Sequence, residues 1–499
     1  DFGSCLRHFG MNTQRLPNSS YSLTDASKST LGSRPSSLRS LQPSISRRDS
    51  LPLGGWRLRA SSSGLSTGLS TKVSTKVSTN ASTNAPTVEP TEAKGDRLSN
   101  SSTRSGTQRK VNSGKLRSKQ IRWRKSRQNS SSPAEWTVMV YMAGNTLESY
   151  ALQDFLELAA AGSDSKVNIV VQLDRTAGES SAYGNWTDTR RGLVRPGNAP
   201  NANWGTSIGE ANMGSTLILK NFVNWSTSTY RAKHYALVMW GHGDGFNVSY
   251  DDVTNNGISG GELNQVLSGL PTPVDLVGTD ACLMGTTEFA YQICDHASVF
   301  VGSQELEPGE GWNYTPILKD LKANPQMNAV QLGNSIVGRY AQTYPTGNET
   351  LSATNLLALR SSNAGSLTNA ISNFATTLMS GVATSQDLNQ LDAWRDRYAN
   401  DFGAEDGVDA TNFCDVGKLF TGFASSLGVS TVLRTAAQAV LDAYSSAILQ
   451  NYSAAPGRST GLSLYFSDRG MAPDFSYNSS TSSFVSNTQW GQFLNELWW

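Results

Sequence analysis

Short apolar runs recur along the chain between residues 137 and 303. The first, residues 137–144 (TVMVYMAG), is rich in β-forming residues and ends in glycine. Residues 167–174 (VNIVVQLD), 235–241 (YALVMWG), 274–278 (VDLVG) and 298–303 repeat the pattern. Each run is continuously apolar rather than alternating, which predicts strands buried on both faces. Between them, residues 147–161 place Leu147, Leu152, Phe155, Leu156 and Ala159 at helical spacing. Residues 216–227 read as a helix or a strand–helix junction, and residues 262–270 as a short helix. Strands alternating with helices predict an α/β fold with a mainly parallel sheet and crossover helices.

From about residue 328 the pattern turns helical. Residues 329–344, 366–379, 388–398, 416–425 and 430–449 carry helical periodicity, strands are expected at 352–359 and 461–466, and residues 490–499 form a short amphipathic segment. Residues 328–499 are read as a helix-rich C-terminal subdomain, or an extension of the same layers, behind a principal domain over 134–327.

Residues 1–133 are different material. Ser, Thr, Arg and Asn dominate, and residues 64–87 run as six tetrads, GLST, GLST, KVST, KVST, NAST and NAPT. Such a segment cannot bury enough apolar surface to offset its ordering entropy, so a disordered, basic, Ser/Thr-rich tail is expected. Charge divides at the same place. The whole chain holds 41 Lys and Arg against 40 Asp and Glu; the first 133 residues hold 23 and 6 of these, leaving 18 and 34 for the rest. The acidic body would attract a cationic substrate or its own tail, or its acids serve only solubility. The basic run at 109–127 has nine Lys and Arg and no acid. No folded nucleic-acid module accompanies it, so it is read as a linker or leader and nucleic acid is not an expected partner.

Four cysteines (Cys5, Cys282, Cys294 and Cys414) in 499 residues make neither a disulfide framework nor a zinc-ribbon spacing. No apolar stretch reaches the ~20 residues of a transmembrane helix. No apolar segment near the start suggests a secretory leader, although the chain begins with Asp1 rather than Met. The compartment stays open, an extracellular or cell-envelope one included, and the chain is read as a monomer.

In an open parallel sheet, ligands gather beyond the carboxyl ends of the strands. Two runs end there in unusual chemistry. Residues 235–241 lead into Gly241-His242-Gly243-Asp244-Gly245, and residues 274–278 into Thr279-Asp280-Ala281-Cys282-Leu283-Met284-Gly285. The intervening segment has a crossover length, so the strands can be neighbours and bring His242 and Cys282 side by side. A cysteine nucleophile needs a base or a positive environment, because the thiolate attacks. A neighbouring imidazole can take the thiol proton or protonate a leaving amine. Residues 284–293 look helical, which would put Cys282 at a helix N-terminus and favour the thiolate. The glycines around His242 let backbone approach a substrate carbonyl, making the Gly243 and Cys282 amides the candidate oxyanion hole. The alternatives are a packed small Cys with a turn His, or a zinc site from His242, Cys282 and Asp280 that lacks a fourth ligand. From the residues alone these stay open.

Residues 138–144 (VMVYMAG) and 172–175 (QLDR), the His-Gly of 240–245, Asp280-Ala281-Cys282 with Met284-Gly285, and residues 303–314 (SQELEPGEGWNY) together resemble the clostripain family, in the caspase-like group with gingipains, legumain and separase. The resemblance runs from about Trp136 to Tyr314 and weakens towards the end; residues 1–133 match nothing in it. It implies a caspase-like three-layer α/β sandwich and a thiol protease, a cysteine endopeptidase, with Cys282 as nucleophile and His242 as general acid/base. It further implies protein or peptide substrates cut after Arg or Lys, with Asp280 as an acid of the S1 pocket. A cationic side chain does need such a carboxylate. Glu310 is the second S1 candidate, Glu305 and Glu307 are rivals, and Asp280 could instead cap the following helix. No cofactor is expected as a requirement. Clostripain itself needs calcium, so calcium is carried as an option with Asp251-Asp252 as candidate ligands, although the ion takes six to eight oxygens. Cys294 and Cys414 look structural, and His234 and His296 have no clear partner. Several relatives are cut at basic sites between their His and Cys segments. Here no Lys or Arg lies between Lys233 and Lys319, so no self-cleavage is expected there, whereas autolytic trimming is expected within about 104–127. A catalytically silent binding module anchored by the basic tail is the competing function.

Overall fold

The computed structural model describes residues 132–399, 402, 412–474, 477 and 482–499. The expected disordered tail, with its tetrads, its basic run and Cys5, lies outside the described residues. In chain order the strands are β1 (Ala134–Ala143), β2 (Val167–Asp174), β3 (Arg190–Leu193), β4 (Thr206–Ser207), β5 (Ala232–Trp240), β6 (Asn247–Asp251), β7 (Asn256–Ser259), β8 (Leu276–Asp280), β9 (Val299–Gly302), β10 (Thr350–Asn355), β11 (Phe413–Asp415), β12 (Ile448–Ser453) and β13 (Ser463–Tyr465). The helices are α1 (Glu148–Ala161), α2 (Thr216–Thr229), α3 (Gly260–Ser268), α4 (Thr287–Ile293), α5 (Tyr314–Ala323), α6 (Ala329–Thr343), α7 (Leu367–Thr377), α8 (Ser385–Tyr398), α9 (Val416–Ser425), α10 (Thr431–Ala447), α11 (Ser483–Asn487) and α12 (Trp490–Phe493). None of them is long and apolar enough to cross a membrane.

Nine strands form one sheet in the order β12-β10-β9-β8-β5-β1-β2-β3-β4. At its centre β2, β1, β5, β8 and β9 are parallel, and antiparallel strands finish both edges. Both faces are covered, which is why the central strands read as unbroken apolar runs. Side chains alternate along β1. Trp136, Val138, Val140 and Met142 join a core with Phe155 of α1, Leu321 of α5 and Ile336 of α6. Met139, Tyr141 and Ala143 enter the opposite core, shared with Phe222 of α2, Leu263 of α3, Phe289 of α4 and helices α7, α9 and α10. The layers are therefore helix, sheet, helix, around the mainly parallel sheet anticipated from the sequence. The chain after residue 328 supplies β10 and β12 to one edge of that sheet as well as helices to its face.

Some boundaries differ from the periodicity. A helix is predicted over 430–449, but α10 stops at Ala447 and β12 begins at Ile448. Ile448 and Leu449 fit the helical stripe equally well. What decides is the open edge of β10, whose backbone groups β12 pairs. The helix read over 284–293 starts only at Thr287, because Thr286 caps it by accepting from Phe289 N at 3.1 Å. The hairpins β3–β4 and β6–β7 and helix α5 carry too few consecutive apolar residues to show in the pattern.

Candidate active site

β5 and β8 lie side by side and end level: Trp240 pairs with Asp280, and Gly241 N donates to Asp280 O at 3.2 Å. His242 and Cys282 each follow two residues later and line one cavity with Asp280, Glu307 and Glu310. The two segments touch closely. A Cβ on Gly243 would fall 2.6 Å from Cys282 O and 2.9 Å from Met284 Sδ, so glycine is needed for the His segment to lie on the Cys segment. The bridge between Gly243 and Val248 closes through Asp244 N to Asn247 O (3.2 Å) and Ser249 N to His242 O (3.0 Å), which leaves the Gly243 N–H outside that ladder.

Cys282 is buried in a tight turn rather than at a helix end, since α4 begins five residues later. The expected support from a helix dipole is thereby corrected, because that field fades within one turn. Leu283 adopts φ +64°, which costs a non-glycine residue roughly 1 kcal/mol or more. The turn is held by Leu283 N on Glu305 O (3.0 Å) and Gly285 N on Ser303 O (2.5 Å). The same incoming segment supplies what the dipole does not. Glu307 N donates to Cys282 Sγ at 3.4 Å, a bond that favours negative charge on sulfur.

His242 is also buried, and its Nε2 lies 3.1 Å from Thr146 Oγ1, in the turn that follows β1. Thr146 in turn meets Asp252 at the tip of the β6–β7 hairpin, through Oγ1 (2.5 Å) and N (3.0 Å), both to Oδ2. Nothing in the sequence pattern marks Thr146.

The floor of the cavity is acidic. Asp280 Oδ2 accepts from Tyr314 OH at 2.7 Å and Trp312 N at 3.1 Å. Asp280 is not the helix cap, because Thr286 is. Burial pushes its carboxyl up to about 7 despite those two hydrogen bonds. Glu307 is buried too and accepts from Tyr340 OH at 3.1 Å; burial, then the neighbouring Asp280, push it well above the carboxylate range. Asp154 of α1, absent from the sequence-based candidates, belongs to the same group. Its Oδ2 accepts from Trp240 Nε1 at 2.7 Å, its Oδ1 is buried without a hydrogen-bond partner, and burial followed by Asp280 raises it well above the usual range. An acid on the apolar face of a helix, next to Leu152 and Phe155, was the signal that could have found it. Glu310 is exposed at the mouth. Among the described residues no Lys or Arg pairs with any of these four acids. Glu305 is otherwise engaged, with Oε2 2.6 Å from Arg458 Nη2.

The remaining candidates fall elsewhere. Asp251 accepts from Met213 N (2.9 Å) through Oδ2 and from Thr254 N and Oγ1 (both 2.8 Å) through Oδ1. With Asp252 bound to Thr146, the pair does not fit the many-oxygen cage that calcium takes. Among the described residues no group of three or more His, Cys, Asp or Glu is arranged to hold a metal ion, the His242, Cys282 and Asp280 set included. His234 and His296 do have partners, Asp275 Oδ1 at 3.0 Å and Asn264 Oδ1 at 2.8 Å. Cys294 and Cys414 are buried and in no disulfide, and burial pushes Cys294 up to about 12, away from reactivity.

The sequence model of the clostripain family matches residues 140–498. The chain belongs to the clostripain family. Clostripain from Hathewaya histolytica is 31% identical over 245 residues, 42% of this chain and 46% of that protein, so the match spans less than half the length of the curated relative. A secreted C11 cysteine protease from Bacteroides thetaiotaomicron, solved in complex with an irreversible peptide inhibitor, superposes with a TM-score of 0.50 at 19% identity, covering 71% of this chain and 98% of that one. That likeness speaks for the fold, the three-layer caspase-like sandwich. In this clostripain-family chain the family match takes in both the central strands and the helices after residue 328.

Proposed function

We propose that this clostripain-family chain is a cysteine endopeptidase that cuts peptide bonds after Arg or Lys, with His242 and Cys282 as its catalytic dyad. The observation that carries the reading is a single cavity lined by a thiol, an imidazole and buried carboxylates that no cation of the described residues neutralises. Isolated buried carboxylates are costly. A guanidinium or ammonium group entering this cavity would relieve that cost and gain charge-assisted hydrogen bonds. Asp280 is the principal S1 acid in this reading, Glu307 and Asp154 are buried acids beside it that a bound cation would help to ionise, and Glu310 guides the cation at the mouth.

With the side chain so anchored, the carbonyl of that same Arg or Lys is presented to Cys282. The S–H proton passes to the imidazole and its electron pair stays on sulfur. Sγ then attacks the carbonyl carbon, and the C=O π pair moves to oxygen, towards the amides of Gly243 and Cys282. Collapse breaks the C–N bond, and the leaving nitrogen takes the imidazolium proton. A water molecule gives a proton to the imidazole as its oxygen attacks the thioester carbon; the C–S bond then breaks, the imidazolium proton passes to sulfur, and the new carboxyl end is freed with the thiol restored. Hydrolysis of fluorogenic Arg-, Lys- and Asp-amides tests the reading. Wild type is expected to cleave the first two and spare the third, and Cys282→Ala to cleave none. A folded wild type inert towards all three would instead be the binding module.

A further inference from the structure

The geometry points to Thr146 and Asp252 as a positioning pair that fixes a proton on His242 Nε2 and leaves Nδ1 as the ring atom that exchanges protons with sulfur and substrate. This rests on the reading of His242 as the acid/base. It follows from counting hydrogens. A threonine hydroxyl has one hydrogen and two lone pairs, and a carboxylate has only acceptors. Asp252 Oδ2 receives the Thr146 backbone N–H at 3.0 Å, a group that can only donate, so that oxygen is an acceptor. The same oxygen lies 2.5 Å from Thr146 Oγ1. The single hydroxyl hydrogen therefore goes to Asp252, and Oγ1 offers His242 Nε2 only a lone pair, at 3.1 Å. Two lone pairs at that distance repel, so the hydrogen in the contact belongs to the nitrogen. The neutral ring is the Nε2–H tautomer. When the ring is charged, its Nε2–H faces a hydroxyl polarised by a carboxylate, which stabilises the imidazolium.

Three separate elements build the arrangement. Thr146 comes from the turn after β1, His242 from the loop after β5, and Asp252 from the β6–β7 hairpin. The hairpin is itself pinned by the preceding acid, whose carboxylate holds Met213 N and Thr254. The Asp251-Asp252 pair thus divides its work: one carboxylate anchors the hairpin, the other orients the histidine through a hydroxyl. The other titratable groups around the ring are Cys282, Asp280, Glu307 and Glu310 across the cavity and Tyr150 at its edge. Asp244, on the histidine's own loop, is bonded to Asn247 N (2.7 Å) and Tyr250 OH (2.5 Å).

Ring ¹⁵N spectra of a Cys282→Ala protein, in which no thiol couples to the imidazole, read the tautomer directly; the chain has only four histidines to assign. The expected result is a neutral His242 protonated on Nε2. Thr146→Val and Asp252→Ala are each expected to reduce the Nε2–H share of the neutral ring. Asp252→Asn, whose amide oxygen can still accept the hydroxyl, should keep the tautomer. In the Cys282 enzyme, Thr146→Val is expected to reduce kcat about tenfold with KM within about twofold, and Thr146→Ser to restore it. A neutral ring protonated on Nδ1, or a Thr146→Val protein with an unchanged tautomer, overturns the inference. A Cys282→Ala protein that still cleaves the Arg-amide overturns the dyad instead, and the ring spectrum reports on Thr146 either way.

Discussion

A carboxylate that folding strips of water and leaves without a cation is held at a cost until a substrate supplies one. Asp280 is in that position, and replacing it should move two measurements in opposite directions. Asp280→Asn keeps an acceptor for Tyr314 OH and Trp312 N but removes the charge. Cleavage of an Arg-amide is expected to fall about 100-fold in kcat/KM, the scale of a broken buried charge pair; an unchanged value would remove Asp280 from recognition of the cation. The free protein should become more stable. Its carboxyl, raised from 3.8 to about 7, keeps its proton in the fold over a range where the unfolded chain has lost it. The contribution of this carboxyl to wild-type stability therefore falls as pH climbs from about 4 to about 7 and is level above that. Asn has no such loss, so denaturant melts at pH 8 should show a gain on the order of 4 kcal/mol that vanishes by pH 4. His242, Cys282 and Asp280 were legible because they stand in short motifs just past apolar runs. Asp154 was not, because the helical count followed its neighbours Leu152 and Phe155 and passed over the acid between them. Thr146 was not, because it meets His242 across 96 positions of sequence, where no local pattern can link them.

The segment that follows β9 does several tasks for the site. Ser303 and Glu305 hold the Cys282 turn through their carbonyls, Glu307 N meets the sulfur, and Gly311 opens the acidic floor. Gly311 has φ +55°, and a Cβ there would lie 2.9 Å from both Asp280 carboxylate oxygens and 3.2 Å from Asp154 Oδ2. Gly311→Ala is accordingly expected to lower stability by about 1 kcal/mol through backbone strain. It should also push into the space of the cationic head, lowering kcat/KM about tenfold, more for the broad guanidinium of Arg than for Lys. Wild-type values on both amides would mean that the head docks elsewhere. At this scale the sequence was informative where burial is two-sided, as in the five parallel strands, whose apolar runs have no helical reading. It was silent where a single polar contact or a sheet edge sets the boundary. Thr286 delays α4 to Thr287, and β10 draws residues 448–453 out of a helical stripe into a strand. The 303–313 segment, irregular in backbone for most of its length, shows no periodicity at all, and only the resemblance to a family drew notice to it.

Across the whole molecule, the placement of basic residues determines what an Arg/Lys-directed peptidase can do to itself. No Lys or Arg lies between Lys233 and Lys319, a window that contains His242, Cys282, the β6–β7 hairpin and the loop carrying Glu307 and Gly311. An enzyme of the proposed specificity has nothing to cut there, so its imidazole and sulfur stay on one continuous chain. Some basic residues in the folded body are tied down: Arg175 is buried against Glu148 at 2.5 Å, and Arg339 pairs with Asp320 at 2.6 Å. The first 133 residues hold 23 of the chain's 41 Lys and Arg, and residues 104–127 hold the densest run. Intact-mass measurement of the full chain during incubation should show loss of an N-terminal segment, with the new terminus following a Lys or Arg within 104–127. The remaining fragment should run unbroken through both 242 and 282, and Cys282→Ala should keep its full mass. Trimming at the same rate in Cys282→Ala would assign the cut to another protease. A wild-type product split within 243–281 would show cleavage where no basic residue exists, and the Arg/Lys specificity could not stand.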